Sequence, residues 1–261
     1  MGSTVITVAP TGAEADKTDV PALPVTLAEL VATARHCAAV GASVVHVHVR
    51  DAEARPTLEH GRLREAVATL RQVTDLIVQL STGGAVTDSE ADRLAVLDAE
   101  PDTASCTMGT VDVGHSLHRL LDRHGLPYGG HVHADLVTGV PGGRPGTTGA
   151  MVAALAELPA GATFSATGAG RTTLPVALAL SAGGHLRVGM QDTLSYAPGR
   201  PVESNAQLVA RAAGLPGWPS CHRWRWGTSG GCSASGTLPV RPSRADGGRY
   251  RFLDDETKGN R

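Results

Sequence analysis

No apolar run in this 261-residue chain is long enough to cross a membrane, and no secretory signal opens it. Those two absences exclude a membrane-spanning role and place the expected location in the cytoplasm. Charge of one sign is missing as well. The 23 Lys and Arg against 25 Asp and Glu give a net charge of −2 and a pI near 6.6, which argues against a nucleic-acid or other polyanionic partner. Cysteine is sparse: Cys37, Cys106, Cys221 and Cys232 show no metal-type spacing, as in a reduced compartment. Lysine is scarce while Ala, Gly and Arg abound, which reads as the signature of a GC-rich genome rather than of a function. No glycine-rich strand-to-helix fingerprint lies near the start, so nothing marks a dinucleotide-binding sheet.

What is present is organised around residues 41–51. Val44, Val45, Val47 and Val49 make this stretch a strand apolar enough to be buried on both faces. Side chains alternate along a strand, so His46 and His48 share a face about 7 Å apart at ~3.3 Å per residue. Two imidazoles on one buried face, in a strand that ends in Arg50-Asp51, are a candidate metal site.

The rest of the chain alternates. Strands are predicted over 3–9, 41–51, 75–80, 103–108, 130–136, 162–167 and 185–192. Helices are predicted over 26–40, 58–73, 88–97, 115–124, 152–158, 174–181 and 204–213. Thr26 stands at the first N-cap, with Glu29 at the reciprocal capping position. The βα alternation predicts a parallel sheet, and the polar and glycine-rich clusters just after the strands suit a (β/α)8 TIM barrel. A closed barrel needs eight strands, and the pattern supplies seven.

The motifs Thr11-Gly-Ala-Glu14, Leu23-Pro-Val-Thr26, His46-Val-His-Val-Arg-Asp51, Ser81-Thr-Gly-Gly84, Arg187-Val-Gly-Met-Gln-Asp192 and Ser204-Asn-Ala-Gln-Leu-Val209 occur in order over about the first 215 residues. In these the chain resembles the β-keto acid cleavage enzymes, the family that includes 3-keto-5-aminohexanoate cleavage enzyme. The resemblance implies a TIM barrel with Zn2+ at its top, within a homo-oligomer. It also implies a reaction in which a small-molecule β-keto acid and acetyl-CoA, the co-substrate, give acetoacetate and a new acyl-CoA. A catalytic zinc takes three protein ligands and leaves a position open. His46 and His48 would supply two, and Gln191 stands where the family places a glutamate. Such a zinc would act as Lewis acid on the keto acid's oxygens. Asp192 would be the base that removes the C2 proton. Arg187 would hold a carboxylate or developing oxyanion with its fork of donors. Glu14 and Ser81 would orient the substrate, and Thr107 is a further candidate, on the side of the acetyl-CoA.

Three departures from the family stand out. Gln191 is a neutral amide in place of a carboxylate. About one βα unit is absent near residues 111–112. After residue 216 the sequence gathers Trp218, Trp224 and Trp226 with Arg, Gly, Ser and Pro in no period. The expected organisation is therefore an incomplete TIM-barrel catalytic domain over 1–216. An irregular or disordered tail follows over 217–261, better explained by a reading-frame shift than by a designed extension. His131 and His133 form a second H-x-H pair on a predicted strand. They leave open an amidohydrolase-like metal-dependent hydrolase using His46, His48, His131 and His133, and an inactive relative of the family is also open.

Overall fold

Along most strands one parity is apolar and the other largely polar, and that alternation decides what faces the helices. The structure, a computed structural model, describes residues 4–83, 88–105, 121–122, 132–170 and 182–215. Strands β1 (Ile6–Val8), β2 (Val44–Val47), β3 (Ile77–Ser81), β4 (Thr103–Ser105), β5 (His133–Thr138), β6 (Thr163–Gly168) and β7 (His185–Val188) form one sheet. Its order is β4-β3-β2-β1-β7-β6-β5, with every pairing parallel. The sheet curls in the manner of a TIM barrel without closing, and its edges stand 9 Å apart. That is about twice the ~4.8 Å spacing of neighbouring strands, the width one further strand would occupy.

Ile6, Val8, Val45, Val47, Val78, Leu80, Ala166, Leu186 and Val188 point outward and join one apolar core beneath the helices. Helix α1 (Leu27–Ala39) sets Leu30, Ala34 and Cys37 into it, and α2 (His60–Val73) sets Leu63, Ala66, Val67 and Leu70. These spacings are the one-face repeat of an amphipathic helix. α1 starts at the expected capping box: the Glu29 N–H donates to Thr26 Oγ1 at 3.2 Å, and the Thr26 N–H donates to Glu29 Oε2 at 3.0 Å. The short helix α3 (Glu90–Ala95) runs into a 3-10 turn, Val96–Ala99, and α4 (Thr148–Ala156) packs beside β5.

The last helix, α5 (Asn205–Ala213), has a structural duty at its first residue. Asn205 is buried; its Oδ1 accepts from the Met190 N–H at 2.8 Å and its Nδ2 donates to the Pro10 carbonyl at 3.0 Å. One side chain thus ties together the segments that follow β1 and β7.

Inside the curl the other parity is polar above a small apolar floor of Val5, Val44 and Ile77, which lie at the starts of their strands. The residues that follow on the same face include Thr7, His46, Gln79, Asp135, Ser165 and Arg187. A hairpin that the sequence reading passed over, β8 (Ser195–Ala197) with β9 (Arg200–Pro201), follows β7. Its signal is Pro198-Gly199, and Gly199 takes the turn's positive φ of 73°. No helix among the described residues is long and apolar enough to cross a membrane. The predicted helix over 174–181, the expected gap near 111–112, Thr107, His131 and the tail over 217–261 lie outside the described residues.

Candidate active site

β2 positions His46 and His48 as parity requires. Their rings meet edge to face with centroids 5.2 Å apart. His46 is 2% exposed, and its Nδ1 lies 2.8 Å from Gln79 Oε1, the residue opposite it on β3. With a carbonyl oxygen accepting, His46 donates from Nδ1 and keeps its lone pair on Nε2. Burial, then the nearby Arg187 charge, holds His46 well below the ordinary histidine range. Burial, then Arg187 and Arg50, pushes His48 down to about 4. Both imidazoles are neutral at pH 7. His48 Nδ1 and Gln191 Oε1 are buried without a hydrogen-bond partner, an uncommon state for interior polar atoms.

The next cluster is ionic. Arg187, on β7, donates from Nε to Asp192 Oδ2 at 3.0 Å and from Nη2 to Asp192 Oδ1 at 2.9 Å. Its Nη1 donates to Asp135 Oδ2 at 2.7 Å. Asp135 Oδ1 in turn accepts from the Ser165 hydroxyl at 2.8 Å, across the β5–β6 pairing. Burial raises Asp192 above the usual carboxylate range and Asp135 adds to it, against the opposing pull of Arg187. Burial disfavours the Arg187 cation, yet the two carboxylates outweigh it and raise its pKa.

Glycine makes the junction of β1 and β7 possible. Gly189 has φ 156°, and a Cβ there would stand 1.9 Å from the Ala9 carbonyl oxygen. Gly12, at φ +70°, lies over the Gln191 side chain, where a Cβ would come within 2.8 Å of its Cγ. Arg50 clasps the same loop, donating from Nη2 to the carbonyls of Gly12 at 2.9 Å and Ala15 at 2.6 Å. A cleft of about 170 Å³ opens between the end of β2 and helices α1 and α2, lined by Pro24, Thr26, His48, Arg50 and Arg62 among others. It is smaller than the ~300–1,000 Å³ of a typical ligand site, so it does not hold a substrate by itself.

The family profile described as beta-keto acid cleavage enzyme matches residues 3–116 and 111–216. The chain belongs to the beta-keto acid cleavage enzyme family. It is 30% identical to the 3-keto-5-aminohexanoate cleavage enzyme of Acetoanaerobium sticklandii, over 82% of this chain and 92% of the relative. It is 27% identical to the 3-oxoadipate:acetyl-CoA acetyltransferase of Cupriavidus necator, over 81% of this chain and 87% of that one. Among solved structures, the ternary complex of ObcA with a C4-CoA adduct and oxalate matches with a TM-score of 0.54 at 16% identity, a likeness of fold. That match covers 73% of this chain and 63% of the other, less than two thirds of its length.

The two segments matched to the beta-keto acid cleavage profile meet at 111–116, where a βα unit was expected to be absent. The alignment to the A. sticklandii relative runs over 251 positions, whereas 82% of 261 residues is about 214. The remainder, roughly 37 positions, is about the size of one βα unit of a barrel and agrees with the seven parallel strands of the sheet among the described residues.

Family membership does not carry the expected metal with it. Among the described residues no group of three or more His, Cys, Asp and Glu could hold a metal ion. The expectation of Zn2+ as cofactor on His46, His48 and Gln191 is overturned. The reason lies in the donor set: two neutral imidazoles and a neutral amide leave a dication's charge uncompensated, and the Arg187 cation acts on both histidines. The carboxylates of Asp135 and Asp192 are bound to Arg187 instead.

The other expected positions are dispersed. Ser81 ends β3, buried, with its Oγ accepting from the Gly83 N–H at 3.0 Å. Glu14 is exposed on the loop after β1. His133 lies 2.9 Å from Thr163 Oγ1 through Nδ1 and stacks on His185 at 5.9 Å. Asp135, Ser165 and Gln79 were missed. The signal for Asp135 was available: it stands two residues after His133 on a predicted strand and so shares its face.

Proposed function

We propose that the chain exchanges acyl groups between a β-keto acid and acetyl-CoA, giving acetoacetate and a new acyl-CoA. Asp192 takes the proton from C2 of the keto acid. The carbanion forms a carbon–carbon bond with the acetyl carbonyl, and CoA passes to the original C3 carbonyl. Cleavage of the C2–C3 bond then releases the new acyl-CoA and the C2 carbanion of acetoacetate, which takes the proton back from Asp192. The observation that carries this reading is Asp192 itself, a carboxylate with a side chain 5% exposed, held by both oxygens on Arg187. Burial makes it a stronger base than an ordinary carboxylate, and the guanidinium fixes its plane.

Three of the five N–H donors of Arg187 are occupied by carboxylates of the chain, and two of those three hold Asp192, so its fork sets the base. The unpartnered His48 Nδ1 is left to meet a substrate oxygen through an N–H, the unpartnered Gln191 Oε1 is left to accept from an enol hydroxyl, and Ser81, at the end of β3, with Glu14, on the loop after β1, orients the substrate.

The test is incubation with acetyl-CoA and a panel of β-keto acids, with the new acyl-CoA followed by mass spectrometry. Turnover is expected, with a loss of about 10²–10⁴-fold in Asp192→Asn, the range for removing a positioned base. Equal turnover in that variant would overturn the assignment.

A further inference from the structure

Arg187 and Asp192 lie on one short segment, five residues apart, and Thr167 on β6 also hydrogen-bonds the Asp192 side chain. The third contact comes from elsewhere. Asp135 stands on β5, two strands away from β7 in the sheet, and reaches Arg187 Nη1 at 2.7 Å across 52 residues of sequence. Its other oxygen is taken by Ser165 on the strand between them, and the Ser165 hydroxyl also lies 3.4 Å from His133 Nε2. Arg187 is thus fixed at both edges of its fork: Nε and Nη2 hold Asp192, and Nη1 is pinned by Asp135.

We propose that Asp135 is a positioning residue for the reaction, setting the orientation of Arg187 and through it the direction in which Asp192 presents its free lone pairs. The inference rests on the reading of Asp192 as the C2 base. A guanidinium is planar and rigid, so two parallel bonds on one edge and one on the other define its plane completely. Without the outer contact the Arg187–Asp192 pair keeps its mutual bonds and the Thr167 contact on Asp192, but the guanidinium loses its own tie to the sheet and with it the angle at which it holds the carboxylate. A base displaced by a fraction of an ångström loses rate with little change in binding, because substrate affinity does not depend on the line of proton transfer. Ser165 serves the arrangement by occupying the Asp135 oxygen that Arg187 does not use.

The experiment has two arms. In the first, protein with 15N-labelled arginine is used to follow exchange of the Arg187 Nε–H proton with water in the wild type and in Asp135→Asn. Exchange about tenfold faster in the variant is expected, and an unchanged rate overturns the proposal whether or not the protein turns over. In the second, exchange of C2 protons of a β-keto acid is followed by NMR in heavy water. Asp135→Asn is expected to lower kcat about tenfold or more with KM within about twofold, Asp135→Glu to recover part of the rate, and Ser165→Ala to give a smaller loss. In an Arg187→Lys background, Asp135→Asn should cost nothing further; additive losses would contradict action through Arg187. No C2 exchange in the wild type would refute the base reading of Asp192, while the arginine arm still decides the role of Asp135. Where Asp135→Asn does not fold, Ser165→Ala is carried through both arms and must loosen Arg187 for the proposal to stand.

Discussion

At the scale of single residues, burial decides more than identity does. His48 is an ordinary histidine in the unfolded chain and is pushed to about 4 in the fold, with burial the main cause. The unfolded state therefore takes up a proton near pH 6.5 that the folded state refuses until about pH 4. Because stability falls as pH is lowered wherever the unfolded chain binds more protons, His48 costs the fold nothing above about pH 6.5. Between that value and about 4 it destabilises increasingly, toward roughly 3 kcal/mol. His46 is shifted the same way and adds to the loss. Replacing His48 by Gln is expected to flatten the stability curve over this window, as read by urea midpoints from pH 4 to 7; an unchanged slope would show that His48 is not buried as described. The pairing of His46 and His48 was legible from strand parity alone. Their chemical setting was legible only in part: the neutral amide of Gln191 stands in the sequence, whereas the burial and the Arg187 charge that act on both rings come from distant segments.

At the scale of elements, helix starts were readable and strand ends were not. Thr26 and Glu29 announce α1 because capping chemistry is local, and both bonds of the box form. Thr26→Ala should cost about 1 kcal/mol, measured by equilibrium unfolding, and a change under a few tenths would mean the cap is replaced by solvent. β7 was expected to run to residue 192 and stops at Val188. The reason is a contact that the local sequence does not reveal: Gly189 passes so near Ala9 that a Cβ would stand 1.9 Å from its carbonyl oxygen. That turn brings Gln191 and Asp192 round into the site. Gly189→Ala is therefore expected to destabilise by more than about 3 kcal/mol or to prevent folding, whereas an ordinary exposed glycine changed to alanine would cost far less. Soluble Gly189→Ala with wild-type stability would contradict the described close approach. Asp135 shows the opposite limit: its strand was predicted, and its partner Arg187 lies 52 residues away, a distance no local pattern bridges.

At the scale of the whole molecule, the alternation of strands and helices gave away the parallel sheet, and counting strands gave away its incompleteness. Among the described residues the edges at β4 and β5 lack the neighbours that β1, β2 and β7 have on both sides. Amides of β4 and β5 should exchange hydrogen well before those of β1 and β2, since an open edge unfolds locally at low cost. Uniform protection around the sheet would mean that another segment completes the ring. The reaction is the claim to which the whole arrangement leads, and it is tested most directly with acetyl-CoA carrying 13C at the carbonyl. The proposed exchange moves that carbon into C3 of acetoacetate and leaves the new acyl-CoA unlabelled. Label found in free acetate, or retained in acetyl-CoA with no labelled acetoacetate formed from any β-keto acid, would contradict it.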